Sequence, residues 1–275
     1  MAELHDLRKR LQSIRSTGQL AGAMRTAATA KYAKLNRMRG GFAEYARECR
    51  TLLYQLGSAD LPHPDSAEGR DCLVILGGNR GMCGGFNAEL LRFLEDKLGE
   101  YDPRPRLIVC GKKAAAWLRE HRYAFEECLL SDTPAFAEVR PLADRLREGY
   151  ASGEIARVSV IYQSYQNTLI QRPAERRLLP SQEPDMAEET AEVLCLPDRN
   201  TLRDKLVRLC FEADLFDMVL ENASGAQAAT IVATRSACDN AEASAADLEL
   251  IINRRRQAEV TSSVIETASG MLQGD

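Results

Sequence analysis

Proline is missing from the first 61 and the last 78 residues of this 275-residue chain; all ten prolines lie between Pro62 and Pro197. Proline breaks helices more strongly than any other residue, so two long terminal helices around a compact middle are expected. Histidine is scarce too. The three present, His5, His63 and His121, are far apart in sequence, which leaves little for imidazole metal sites or for activating a nucleophile. The eight cysteines, at 49, 72, 83, 110, 128, 195, 210 and 238, include no C-x-x-C pair. That spacing fits neither a zinc ribbon nor a redox motif, and the cysteines read as small buried hydrophobes. No metal and no cofactor are expected. No apolar run approaches the roughly 20 residues of a membrane span. The start, MAELHDLRKRLQSIRS, is charged and periodic where a signal peptide is apolar, and Glu3 and Asp6 are foreign to a transit peptide. The cytoplasmic side of a cell is the default expectation.

What is present begins with charge. The net charge of −4 conceals a balance of +7 over residues 1–50, so the remainder carries −11. A basic arm on an acidic body points to a specific acidic partner, or to a plain solvated face. Nucleic acid is a poor candidate, because the chain is acidic overall and the basic arm lacks interleaved aromatics. A nucleic-acid or coiled-coil adaptor would bind with a steep salt dependence.

Periodicity agrees with the proline gaps. From Leu4 to Leu56, alternating steps of three and four residues land on apolar or small side chains, interrupted by Gly18, Arg25 and Arg39. The same stepping runs from Leu202 to Leu272 through Leu206, Phe216, Leu220, Ala237, Ala241, Leu248, Ile251, Ala258 and Ile265. Gln227, Thr230, Thr234 and Arg255 interrupt it. A sustained 3.5-residue repeat predicts a left-handed coiled coil, here antiparallel because a middle domain joins the two helices. The C-terminal helix would be on the order of 100 Å long, and the first can cover only part of it. The seam is rich in Ala, Gly, Ser and Thr and buries little area, so such a rod needs something around it.

The middle alternates. DCLVIL, RLIVC and RVSVIY read as buried strands; AELLRFLEDKL, KKAAAWLREH and PLADRLREGY read as helices. Strands alternating with helices predict a parallel, Rossmann-like sheet, and QNTLIQRPAERRLLP adds a strand before a polar connection. The expected fold class is α/β: a long antiparallel coiled coil of N- and C-terminal helices plus a central Rossmann-like α/β domain. The expected domains are 1–58, 70–195 and 201–273.

GGNRGMCGGFN, residues 77–87, holds five of the eighteen glycines between a strand and a helix. That is where nucleotide enzymes hold phosphate. The stretch fits neither G-x-G-x-x-G nor G-x-x-x-x-G-K-[ST], and no acidic residue ends the second strand. Glycines serving tight turns and close backbone packing are the favoured reading. A Rossmann-type nucleotide-binding enzyme is the alternative, and it would bind ATP or NAD through the middle domain.

NRGMCGGFN resembles the S-D-R-G-L-C-G-G-F-N segment of the γ subunit of F-type ATP synthases. IRSTGQLAGAMRTAATAKY is similar to that family's N-T-x-x-I-T-K-A-M-x-M-V-A-A-x-K. ACDNAEASAADLELIINRRRQAEVTSSVIETASG resembles its A-T-D-N-A…N-K-x-R-Q-A-x-I-T-x-E signature, and YQNTLIQRP resembles its N-T-x-x-Q-x-P. The four follow in the family's order along the whole chain. Asn79 stands where the family usually has Asp, Gly22 where it has Lys, and Thr230 where it has Arg. These departures suggest a divergent lineage, or the gamma subunit of a specialised second, Na+-type, F-ATPase.

The resemblance implies a non-catalytic central rotor, with alpha and beta subunits around the coiled coil and the epsilon subunit and membrane c-ring at the base. It implies a peripheral position on the cytoplasmic face of a bacterial cell membrane, without direct insertion and without nucleic acid. Contacts to the beta subunit would fall to a basic collar, Lys31, Lys34, Arg37 and Arg39, and to Arg256 and Gln257. Arg80 and Cys83 would pack the base against the coiled coil or a neighbouring beta loop. Leu4–Ile14 and Ile265–Leu272 would form an apolar tip.

Overall fold

The computed structural model describes residues 2–56, 61, 69–180, 195–196 and 198–272. His63 and four prolines (Pro62, Pro64, Pro184 and Pro197) lie outside the described residues. Among the described residues ten elements follow in order: α1 (Ala2–Gln55), β1 (Arg70–Leu76), α2 (Phe86–Glu100), β2 (Arg106–Cys110), α3 (Lys112–Glu120), β3 (Glu126–Cys128), α4 (Phe136–Ala151), β4 (Ile155–Tyr165), β5 (Gln171–Leu179) and α5 (Arg199–Leu272). The proline-free ends are the two long helices, of 54 and 74 residues.

The chain divides into two compact units, residues 1–27 with 233–275, and residues 28–232. The second holds the sheet, ordered β3-β2-β1-β4-β5. β1, β2, β3 and β4 run parallel, as alternating strands and helices predict. β5 runs antiparallel to β4, with Tyr165 opposite Gln171 and Tyr162 opposite Ala174, so the sheet is mixed where the sequence predicts a parallel one. The cause is the short link between Tyr165 and Gln171, which can close a hairpin but cannot hold the dozen or more residues of a parallel crossover.

β3 is unforeseen in the sequence because its three residues, Glu126, Glu127 and Cys128, carry two charges. Arg106 of β2 donates to Glu126 at 2.7 Å and Arg145 of α4 does so at 2.7 Å. Burial raises the Glu126 carboxyl, but these guanidinium hydrogen bonds outweigh it and leave it below the usual carboxylate range. α4 starts five residues before Pro141, where the sequence places its beginning. Glu138 explains the earlier start: its carboxylate accepts from the amides of Ala135 at 2.9 Å and Ser131 at 3.0 Å, satisfying donors at the helix end.

Strand alternation sorts the core into two faces. Leu73, Ile75, Leu107, Val109 and Ile161 pack against Leu90, Leu94 and Leu98 of α2 and Leu118 of α3. Cys72, Val74, Leu76, Ile108, Val158 and Val160 pack against α4, against Val207 to Leu220 of α5, and against Leu35, Met38 and Phe42 of α1. The C-terminal half of α1 and the N-terminal half of α5 are therefore part of the sheet's core. This is why they group with it. Within this unit α1 and α5 run antiparallel. Phe42 meets Phe216 edge-on at 4.8 Å, Arg50 pairs with Asp214, and Arg199 donates to the Leu56 carbonyl at 3.2 Å.

The other unit is a helix pair on its own. Arg15 pairs with Glu249, and a Cβ added at Gly18 would lie 3.1 Å from that of Ala241. The partners fall as α1 rises, so the pairing is antiparallel here too. Among the described residues its buried side chains are small: Ala21, Thr234, Cys238 and Ala245, with Leu248 and Ile252 the largest.

Candidate functional site

The glycine loop leaves β1 at Leu76 and is closed by its own chain. Gly77 donates its amide to the Cys110 carbonyl at 2.7 Å. A Cβ at Gly111, whose φ is +130°, would sit 2.4 Å from the Gly77 carbonyl oxygen. The turns after β1 and β2 thus touch through bare backbone, and only glycine fits. Asn87 then fills the loop's interior. Its Oδ1 accepts from the Gly78 amide at 3.1 Å, and its Nδ2 donates to the Arg80 carbonyl at 3.1 Å and to Cys83 Sγ at 3.0 Å. Glu89, in the first turn of α2, lies with Oε1 2.7 Å from the Cβ position of Gly85. A carboxylate at the helix N-terminus takes the place where an anion would be favoured. Cys83 is 6% exposed, and burial pushes its thiol up against the opposing hydrogen bonds. It is a packed thiol within the loop.

The crevice beyond the carboxyl ends of β1 and β4, where chain order reverses, is the ligand position of open α/β sheets. Here the terminal helices fill it. Asn222 Oδ1 accepts from the Gln163 amide at 3.1 Å, and Glu221 Oε1 accepts from the Tyr165 amide at 2.7 Å and from Ser164 Oγ at 2.9 Å. Gln163, fully buried, donates to the Phe86 carbonyl at 2.7 Å. Gly225 brings α5 so close that a Cβ there would stand 3.3 Å from both Phe86 and Gln171. From α1, the Tyr32 hydroxyl meets that of Tyr165 at 2.5 Å. Burial, and then Tyr32, push the Tyr165 phenol up to about 12.

Beside this plug lies Asp132, in the loop between β3 and α4. Lys31 of α1 donates to its Oδ2 at 2.6 Å, Arg80 Nε lies 3.0 Å from the same oxygen, and Asn79 Nδ2 lies 3.3 Å from Oδ1. Asn79 also donates to the Leu130 carbonyl at 3.0 Å and accepts from the Lys112 amide at 3.3 Å. Burial works to raise the Asp132 carboxyl, but Lys31, Asn79 and Arg80 together hold it below the ordinary range. Nothing in the sequence singles out Asp132. It lies in the turn SDTPAF, whose partners are a hundred residues away on α1 and fifty away in the glycine loop.

Lys31, Lys34, Arg37 and Arg39 do not share one environment. Lys31 is committed to Asp132, and the Arg39 guanidinium lies over the Tyr165 ring at 5.2 Å. Lys34 and Arg37 are exposed. Arg80, though bonded to Asp132, keeps 70% of its side chain in solvent. Arg256 and Gln257 are exposed, as is every described residue from 253 to 265. The seam differs from the sequence expectation at this point: Ile252 is buried at 8% exposure and Ile251 is 44% exposed. The reason is helical drift, since a straight helix turns every 3.6 residues and a strict 3.5 repeat slips past it. Arg256 follows Ile252 by one turn and is exposed, as is Arg255.

These features define a mixed α/β domain whose ligand crevice is occupied by its own long terminal helices, which pair antiparallel. A family model described as ATP synthase matches residues 3–272. The chain is 29% identical over 277 residues to the ATP synthase gamma chain of Desulfitobacterium hafniense, covering 98% of each. It is 28% identical over 286 residues to that of Haemophilus influenzae, covering 98% of this chain and 99% of the relative. Among solved structures it is similar to a chain of the Euglena gracilis mitochondrial ATP synthase (OSCP/F1/c-ring), with TM-score 0.70 and 20% identity over 98% of this chain and 94% of that one. A second Euglena chain, from the rotor, gives TM-score 0.66 and 19% identity over 94% and 99%. At such identities the likeness is one of fold. The chain belongs to the ATP synthase gamma-chain family.

Proposed function

We propose that this chain is the rotating central stalk of an F-type ATP synthase. It couples ion flow through a membrane c-ring to ATP synthesis or hydrolysis at an alpha and beta ring, and makes or breaks no bond itself. The observation that carries the reading is the filled crevice: the sheet's ligand position is taken by Glu221 and Asn222 of α5 and closed by Tyr32 of α1. An α/β domain built that way is a platform for its helices. The thin seam of Ala21, Cys238 and Ala245 suits a shaft steadied by a surrounding sleeve. In this reading residues 1–58 and 201–273 form the shaft and 70–195 the base, which joins the epsilon subunit and the c-ring on the cytoplasmic face of a bacterial membrane. An asymmetric shaft offers each beta subunit a different face and so biases each site's conformation, a population shift driven by differential contacts.

The proposed contacts to the beta subunit divide by what the chain itself already uses. Lys34, Arg37, Arg256 and Gln257 are exposed and available to the ring. Lys31, Arg39, Arg80 and Cys83 act through the base, by holding Asp132, Tyr165 and the glycine loop in place. The test is co-expression of the tagged chain with alpha and beta subunits from the same source. Co-purification of a stoichiometric complex that hydrolyses ATP, together with no turnover by the chain alone, is expected. Turnover by the highly pure chain, or failure of both subunits to co-purify, would overturn the proposal.

A further inference from the structure

Two free cysteines that no part of this function uses face each other across neighbouring strands. Cys110 ends β2, Cys128 ends β3, and the two are direct partners in the parallel register. Neighbouring strands lie about 4.7–4.9 Å apart, and a disulfide spans Cα separations of about 4.4–6.8 Å. Directly paired residues project from the same face of a sheet, and both cysteines border the same core cluster. The two differ in access. Cys110 is 3% exposed, whereas Cys128, on the edge strand, is half-buried.

We propose that Cys110 and Cys128 form a reversible dithiol–disulfide pair, with Cys128 as the attacking thiol and Cys110 as the resolving one, oxidised by exchange with a small disulfide such as oxidised glutathione. Cys128 attacks one sulfur of the small disulfide, giving a mixed disulfide and releasing one glutathione as its thiol. Cys110 then attacks the Cys128 sulfur, gives up its proton and displaces the second glutathione thiol. Two protein thiols are oxidised, and one small disulfide is reduced to two thiols. Accessibility and thiolate character decide which cysteine attacks first. The hydrogen bond from Cys110 lowers the Cys128 thiol to about 7 against the effect of burial, with the Arg145 charge assisting. The same interaction, then burial, raises Cys110.

The bond would have a structural consequence. β3 is only three residues long, and four residues after Cys128 the chain delivers Asp132 to Lys31 and Arg80. Tying Cys128 to β2 therefore fixes the strand that positions that junction.

The test equilibrates the full reduced chain with a glutathione series, alkylates the remaining thiols and maps peptides without reduction. A link between the Cys110 and Cys128 peptides, reversed by excess dithiol, is expected. Cys110→Ser should stop the reaction at a persistent glutathione adduct on Cys128, and Cys128→Ser should lose both the adduct and the link. Circular dichroism checks that each variant folds, and the wild-type map decides the matter if one does not. The proposal is overturned if the wild type keeps glutathione on Cys128 with no internal link. It is equally overturned if either cysteine pairs elsewhere, or if both remain alkylatable in excess oxidised glutathione.

Discussion

Asp132 joins three segments that are distant in sequence, and its charge is what each partner recognises. Its carboxylate is 18% exposed while the Arg80 side chain is 70% exposed, so Lys31 and Asn79 supply most of the holding. Asp132→Asn keeps the shape and removes the charge. Charge-assisted hydrogen bonds contribute about 1.5–3 kcal/mol, and partial solvation here places the expected loss near the lower end. The sign with pH follows from the lowered carboxyl. Such a group adds stability that is fully present above the unfolded-state value, about 4, and disappears as pH falls through the folded-state value. Urea unfolding of wild type and Asp132→Asn should therefore differ at pH 7 and converge in acid. An equal gap at both pH values would show that the carboxylate charge is not what holds the junction. Gln163 and Glu221 make the same point about legibility. Their types and positions stand in the sequence, but their partners are set by how α5 crosses the sheet, which no local pattern encodes. Asn87 is the exception, since it ends the glycine segment that carries the family resemblance.

The helices were legible because their signal is long. From Leu4 to Leu56, all sixteen positions of the three-and-four stepping are buried or half-buried, and the absence of proline marks both helices. Signals of a few residues fared worse. β3 has too few residues to alternate, and the reversal of β5 is written only in the length of a hairpin. At Ile251 and Ile252, two identical side chains stand side by side and composition cannot choose between them. The helix pair of residues 1–27 and 233–275 can be checked directly. A Cβ added at Gly22 would lie 4.0 Å from Cys238 Sγ, so Gly22→Cys should crosslink to the native Cys238 on mild oxidation. The added Cys238→Ser change should abolish that link. Failure to crosslink in a folded protein would contradict the antiparallel pairing. Because this pair buries mainly Ala, Cys and Thr, its amides should exchange faster in the isolated chain than those of α5 between Val207 and Leu220.

In the proposed assembly, the exposed polar residues of the two long helices are the ones offered to the ring. Lys34 and Arg37 are surface cations, each worth about 0–1 kcal/mol in an ion pair, which suits a contact that must release at every step. Changing both to Gln should weaken coupling of hydrolysis to ion pumping more than it weakens assembly, as read in sealed vesicles. Arg256 and Gln257 stand in a segment, 253 to 265, whose residues are all exposed. A guanidinium hydrogen-bonded inside a dry sleeve contributes roughly 1.5–3 kcal/mol, and Lys cannot reproduce its planar fork. Arg256→Ala with Gln257→Ala should lower ATP synthesis and hydrolysis several-fold per assembled complex, and Arg256→Lys should recover only part. Wild-type activity per complex in the double variant would leave the pair as solvated surface.

Rotation itself is the most direct test. Leu169, in the turn between β4 and β5, is 75% exposed and offers a place for a probe once changed to Cys in a chain whose other exposed thiols are blocked. With an alpha and beta ring fixed to a surface and ATP supplied, the probe should turn in one direction, in steps that pause at each catalytic subunit. A complex that hydrolyses ATP at full rate while the probe stays still would contradict the account.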